Sequence, residues 1–341
     1  MSPVSYSQRF EDLYLALCFP DQTAGFYVDI GAGHPVYDNV SFGFYLRGWR
    51  GIAAEPNPAL AALGRAVRPR DVMVNALVGA APGEATFHLV SEFHGLSTMI
   101  GSHAARAQNE FGKSSRPMTM PVTTLGALCE VHAPRSFEFL KIDVEGAEAD
   151  VIRGADWSRF RPKVVVVEAL APYSLAPAWD DWEPVLTGHG YRYARFDSLN
   201  RYYLAAEETD IFRALTLAPE DFPDAILFRD VKPALASAGH PDHALATLLA
   251  GAAMTRLPLF DPDTLVDLLA AGLPPGSLEG AAGPADALAA CERLFGSADA
   301  LRAAAELCVP AGATLRDVYR QIVASDRFRA ACGRISASYA W

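Results

Sequence analysis

The sequence predicts an α/β protein: a Rossmann-like, doubly wound sheet followed by a small all-α C-terminal domain. Three observations carry that expectation. From residue 26 to about 204, apolar β-rich runs alternate with helix-like stretches, the pattern of successive βαβ units. The run Val164-Val165-Val166-Val167 is apolar on both faces, which a parallel strand needs when helices cover it on both sides. After about Pro233, Ala, Leu, Gly and Pro dominate and the β-branched runs vanish.

In chain order, the expected strands are Phe26–Ile30, Gly51–Glu55, Val72–Val78, Phe137–Asp143 and Lys163–Ala169. Tyr191–Phe196 and Arg201–Ala205, joined by Asp197-Ser-Leu-Asn200, read as a late hairpin. An insertion from about Gly83 to Thr124 holds short strand-like pieces and a polar helix. Beyond Pro233, helices are expected at Ala244–Ala253, Asp263–Ala271, Pro284–Phe295, Ala298–Leu307 and Leu315–Ala331, separated by stops such as Gly272-Leu-Pro-Pro-Gly276. At roughly 150 residues per domain, a chain of 341 residues suggests two: residues 1–232, with a core of about 20–205, and residues 233–341.

Lys and Arg total 29 against 40 Asp and Glu, a net charge of −11, which disfavours a nucleic-acid partner. Apolar residues make up 51% of the chain and charged residues 20%, enough for a sizeable core. No apolar run is long enough for a transmembrane segment, and Met1–Phe10 does not have the pattern of a secretory signal. The five cysteines are scattered, without a C-x-x-C pair, so neither a zinc site nor a disulfide framework is expected. A cytoplasmic protein is the simplest reading.

Chemistry-bearing residues gather at the ends of the expected strands. The first strand runs into Asp29-Ile-Gly31-Ala-Gly33-His34, where glycines let backbone approach a ligand closely. The G-x-G-x-x-G fingerprint of nicotinamide enzymes is incomplete, because its third position is Val36. A carboxylate at Asp29 suits an ammonium and a sulfonium better than a pyrophosphate. Glu55, in Glu55-Pro-Asn57-Pro58, follows Gly31 by 24 positions; an acid about 20 residues beyond a glycine loop accepts hydrogen bonds from ribose hydroxyls. A tight turn with a solvated Asp29 and a helix-capping Glu55 are the plainer alternatives. In Leu140-Lys141-Ile-Asp143-Val-Glu145-Gly146-Ala-Glu148, charges interrupt an apolar strand, which is costly unless they are paired or functional. Alternation places Lys141 and Asp143 on one face, with Glu168 at the end of the next strand. An ion pair that merely orders the strand ends is the competing account, chiefly for Lys141. Glu148 reads as ordinary compensation of a helix dipole.

These stretches, with Gly48-Trp49-Arg50-Gly51, Gly95-Leu-Ser-Thr-Met99, Val122-Thr-Thr-Leu125 and Arg161–Glu168, resemble the FkbM family of S-adenosylmethionine-dependent methyltransferases over about residues 20–232. The resemblance implies S-adenosylmethionine bound across the first three strand ends. Asp29, Gly31, Gly33 and His34 would face its methionine side, Glu55 the ribose with Asn57 beside it, and Asn75 and Ala76 the adenine. His34-Pro35 departs from the asparagine and small residue of many relatives. The implied reaction is O-methylation of a hydroxyl on a sugar, glycan or secondary metabolite. Asp143 would act as base, or Asp143 and Glu168, joined by Glu145, would hold a divalent metal such as Mg²⁺. His34 and His94 are further candidate bases. A nicotinamide-dependent oxidoreductase and a non-catalytic binding module of the same fold are the alternatives. Residues after about 235 fall outside the resemblance; a packing or oligomerisation module, the latter giving a homo-oligomer, is the simplest reading of their Ala-rich helices, with docking of a glycosyltransferase or carrier as the alternative.

Overall fold

The computed structural model describes residues 3–90, 115–172, 174, 176–220 and 222–339. They form two compact units, Met1–Arg65 with Arg70–Phe228 and Ala66–Pro69 with Arg229–Trp341. The first unit is a mixed α/β body built on a seven-stranded sheet. Its strands are β1 (Phe26–Ile30), β2 (Arg50–Ala54), β3 (Val72–Val74), β4 (Ser136–Ile142), β5 (Arg161–Glu168), β6 (Tyr191–Phe196) and β7 (Asn200–Ala205). Their spatial order is β6-β7-β5-β4-β1-β2-β3. Neighbours from β5 to β3 are parallel, while β7 runs antiparallel to both β5 and β6. The chain therefore winds outward in both directions from β1 and β4, and their carboxyl ends open at one edge.

Strand alternation builds two cores from one sheet. Val28, Ile30, Leu140, Ile142, Val165 and Val167 face one side, where Leu128, Val151, Ile152 and Leu186 cover them. Those covering residues come from α4 (Leu125–His132), α5 (Glu148–Arg153) and α6 (Glu183–Gly188), which follow α1 (Glu11–Cys18), α2 (Phe42–Leu46) and α3 (Pro58–Val67) in the chain. Tyr27, Phe139, Val164, Val166 and Tyr202 face the other side, against Leu15 of α1, Phe44 of α2 and Leu215 of α7 (Thr209–Thr216). Trp49 is fully buried there and packs on Phe19, Phe44 and Phe139. At the carboxyl edge this second face turns polar: the same parity that places Tyr27, Phe139, Val166 and Tyr202 inside continues into Asp29, Lys141, Asp143, Glu168 and Asn200.

The single strand expected over Val72–Val78 is two. Asn75 Nδ2 donates to the carbonyls of Glu55 and Pro56, each at 2.9 Å. This side-chain tether ends β3, and Leu77–Val78 leaves for a separate three-stranded sheet with Gly83–Val90 and Ser115–Thr123. The insertion thus contains an antiparallel pair of long strands rather than short pieces. Its expected polar helix, His94 and Gly95–Met99 lie outside the described residues.

Among the described residues, the second unit's longer elements are helices: α8 (His243–Leu248), α9 (Pro262–Ala270), α10 (Pro284–Phe295), α11 (Ser297–Ala305), α12 (Leu315–Ala324) and α13 (Asp326–Ala337). Their apolar faces form one cluster around Leu265, Leu294, Ile322 and Phe328. The helix expected over Leu315–Ala331 is broken at Ser325, which takes an extended conformation (φ −69°, ψ 148°) and caps α13 by accepting from Phe328 N. An uninterrupted apolar periodicity hides such a cap. A buried Asp242 grips Arg334 through two bonds of 2.8 and 2.6 Å.

Gly31 fixes how closely β1 approaches β4. Its φ is +79°, and a Cβ there would sit 1.6 Å from the carbonyl oxygen of Asp143. Gly31→Ala is therefore expected to destabilise the protein by about 3 kcal/mol or more, from a left-handed backbone and an overpacked contact together. Denaturant unfolding measures this, and a loss under about 1 kcal/mol would show that the two strand ends can part.

Candidate active site

Gly31 N and Ala32 N both donate to Ala54 O (2.9 and 3.0 Å), and Asp143 N donates to Ile30 O at 2.9 Å, so three strand ends are tied together. Gly33 (φ +61°) completes the turn, and a Cβ there would meet no atom within 4 Å. Asp29 is buried and accepts from Ser41 Oγ at 2.6 Å; Asn39, which accepts from the same hydroxyl, anchors this contact to the loop by donating to Ala32 O.

Glu55, also buried, is held by both oxygens: Gly33 N donates to Oε2 at 2.8 Å and Asn57 N to Oε1 at 2.7 Å. Burial pushes its pKa from 4.5 to about 7, the charges of Asp29 and Asp143 add to the rise, and the two backbone donors oppose it. Asn57 caps α3, its Oδ1 accepting from Ala59 N at 3.0 Å. The His34 ring turns into its own loop, where Nδ1 accepts from Val36 N and Tyr37 N. Ala76 is buried between β3 and the next strand, and Asn75 is the tether described above. Asp29, Gly31, Gly33 and Glu55 thus converge on one turn, whereas His34 Nδ1 and Asn57 Oδ1 accept from nearby backbone and Asn75 Nδ2 bonds to carbonyls of the segment after β2.

A second cluster stands at the ends of β4 and β5. Asp143, Glu145 and Glu168 each bring one carboxylate oxygen within 4.8 Å of the other two. Glu145 has a left-handed backbone (φ 56°) and precedes Gly146 (φ 104°); such strain in a side-chain-bearing residue is characteristic of functional turns. Glu168 Oε2 is buried with no hydrogen-bond partner among the described residues. Burial, followed by the neighbouring acids, pushes Glu145 and Glu168 well above the usual carboxylate range. Glu148 lies behind them and accepts from Val144 N and Gly146 N, both at 3.1 Å.

Lys141 supplies the cluster's cation. Its ammonium is 3.0 Å from Asp143 Oδ2 and donates to Asn200 Oδ1 at 2.9 Å. Burial works against this charge, but Asp143, Glu11 and Glu168 outweigh it and hold Lys141 above its ordinary range. Asn200 in turn donates to Glu11 Oε1 at 2.9 Å. Neither Glu11 nor Asn200 stands out in the sequence: one reads as a first-turn helix acid and the other as a turn residue. The signal they do offer is weak: Glu11 and Asp12 begin a helix a few residues after Ser5-Tyr-Ser7.

Residues 29–193 match the family model for the methyltransferase FkbM domain. Over this span the chain is similar to FkbM methyltransferase domains. The match favours methyl transfer over the nicotinamide alternative. Searches of curated proteins and of solved structures found no match. The matched span contains both clusters, and Glu11 and Asn200 lie outside it.

The buried acids set a pH dependence. Glu11 and Glu55 both rise from 4.5 to about 7 on burial, so between these values the folded protein holds more protons than the unfolded chain. Stability must then fall as pH climbs from about 4.5 to 7. Thermal unfolding of the metal-free protein should give a higher Tm near pH 5.5 than near pH 7.5, with a shallower slope in Glu55→Gln. A flat profile in the wild type would count against protonated buried acids.

Proposed function

We propose that the FkbM-like domain binds S-adenosylmethionine and transfers its methyl group to a hydroxyl of a sugar, glycan or small secondary metabolite. The observation that carries this reading is the pairing of two clusters along one sheet edge: a glycine turn latched to a buried Glu55, and three carboxylates around Asp143. The sheet supports it as well, since its order reads as a doubly wound Rossmann-like arrangement that reverses direction between β1 and β4, where such sheets bind ligands.

The residues fit the cofactor. The open side of Gly33 admits a ligand against backbone, and Glu55, fixed by Gly33 N and Asn57 N, keeps lone pairs for two ribose hydroxyls. Asp29 places negative charge near the methionine end. When bound, S-adenosylmethionine supplies an electrophilic methyl carbon on a sulfonium. The acceptor oxygen must lose its proton as it attacks, and Asp143 is the candidate base. Lys141 orients Asp143 by donating to its Oδ2 at 3.0 Å. Loop and strand ends would hold the acceptor against the methyl and exclude water, which would supply much of the rate.

The acid cluster also fits a divalent metal. Asp143, Glu145 and Glu168 bring three carboxyl groups against one Lys141, their oxygens suit Mg²⁺, and Oε2 of Glu168 is left without a partner that a cation would supply. A cation held there would acidify the acceptor hydroxyl. The Ala-rich helices of residues 233–341 would form an all-α C-terminal domain that packs against a second copy. Among the described residues no helix is long and apolar enough to cross a membrane, and we place the protein in the cytoplasm with no nucleic-acid partner.

Calorimetric titration tests the cofactor. S-adenosylmethionine and S-adenosylhomocysteine should bind while NAD⁺ does not, and Glu55→Ala should weaken binding about tenfold or more. Tight NAD⁺ binding alone would end the methyltransferase reading. In a screen of sugar nucleotides and glycans, Asp143→Asn should lower kcat by roughly 10²–10⁴ while S-adenosylhomocysteine affinity is kept. An unchanged kcat would remove Asp143 from the chemistry.

A further inference from the structure

We infer that Glu11 and Asn200, which both lie outside the matched domain, position Lys141 so that its ammonium occupies one oxygen of Asp143 and leaves the other for the site's ligand. The inference rests on the metal reading of the acid cluster given above.

The argument begins with the amide of Asn200. A side-chain amide can turn either way, and its partners decide which. Here Nδ2 points at two carboxylates, Glu11 Oε1 at 2.9 Å and Asp197 Oδ2 at 3.3 Å. An ammonium only donates, so Oδ1 must face Lys141, 2.9 Å away, and the amide nitrogen is left to face the two carboxyl groups. Each member of the chain is fixed in turn. Asp197 Oδ1 accepts from Leu199 N and Asn200 N, and its Oδ2 accepts from Tyr202 OH at 2.7 Å. Glu11 Oε2 accepts from Arg9 N at 2.6 Å.

Glu11, Lys141 and Asn200 are buried and Asn200 is wholly so, so the contacts are shielded from water and from competing ions. The chain ends at Asp143, whose side chain is 31% exposed. Lys141 holds Oδ2, and no donor among the described residues reaches Oδ1. A carboxylate pinned at one oxygen presents the other in a single direction, which is how hydrogen-bonded partners behind a metal ligand raise affinity. The N-terminal helix is therefore part of the site, through a chain of three side chains that begins at Glu11.

Two readouts test this on the full-length protein. The sequence has four lysines, Lys113, Lys141, Lys163 and Lys232, so ¹⁵N-lysine labelling resolves the ammonium signals, and loss of one in Lys141→Met assigns Lys141. In the wild type this signal should persist against exchange with water. Asn200→Leu should abolish it and weaken Mn²⁺ binding, followed by electron paramagnetic resonance, by roughly 10–100-fold. S-adenosylhomocysteine affinity should stay unchanged, because Asp29, Gly33 and Glu55 are untouched. Glu11→Gln, which keeps the shape and an acceptor, serves if Asn200→Leu fails to fold; it should shift the Lys141 signal and weaken Mn²⁺ by about threefold or more.

A folded variant whose Lys141 signal and Mn²⁺ affinity both stay within about twofold of wild type would overturn the inference. If wild type binds no Mn²⁺, the metal reading fails by itself. The Lys141 signal then still decides the positioning claim: its loss in Asn200→Leu supports it, and its persistence overturns it.

Discussion

A buried ammonium at the end of β4 governs the arrangement around it. Lys141 sits in the sheet where its neighbours along the strand, Phe139 and Leu140, are wholly apolar and buried. A charge there is tolerated only when paired and hydrogen-bonded, and the fold supplies both partners from distant points of the chain. Asp143 comes from the same strand two residues on, and Asn200 from β7, with Glu11 behind it. The response overshoots: Asp143, Glu145 and Glu168 crowd against a single cation, and burial raises two of the three carboxyls well above their usual range. Excess carboxylate beside an orphaned oxygen is a poor structural solution and a good cation site. That contrast is what makes a functional account of the cluster stronger than an ion pair ordering the strand ends.

The two sides of the edge are not independent. Gly31 has to lack a side chain because the Asp143 carbonyl packs onto it, and Asp143 N is bonded to Ile30 O. The glycine turn that would receive a cofactor and the strand that would carry the base are therefore one mechanical unit. Asp143 also contributes to the raised pKa of Glu55, so a change of charge at one cluster is felt at the other.

Much of this was legible in the sequence, because it rests on periodicity. Apolar alternation located β1, β2, β4, β5 and the hairpin to within a residue or two. Charges that break such a run, as Lys141 and Asp143 do, are conspicuous for the same reason. What stayed hidden depends on single side chains bonding across the fold. Asn75 divides one apolar run between two sheets, Ser325 divides one periodic helix into two, and both look like ordinary polar residues in a line of text. Glu11 is the sharpest case. An acid in the first turn of a helix usually answers the helix dipole in solvent, and nothing local distinguishes one that is buried and points through an asparagine toward another strand.

The boundary of the family match makes the same point in structural terms. It begins at Asp29, inside β1, and ends at residue 193, inside β6. Yet β7, which follows that limit in sequence, lies between β5 and β6 in space and pairs Asn200 with Glu168. The matched span thus omits a strand from the middle of its own sheet and the helix that caps one of its cores. A sequence pattern ends where residue identities stop being recognisable, whereas a fold ends where its backbone donors and apolar faces are satisfied. In this chain the second boundary is wider, and the residues between the two limits include Asn200, which bonds Lys141, and Glu11 behind it.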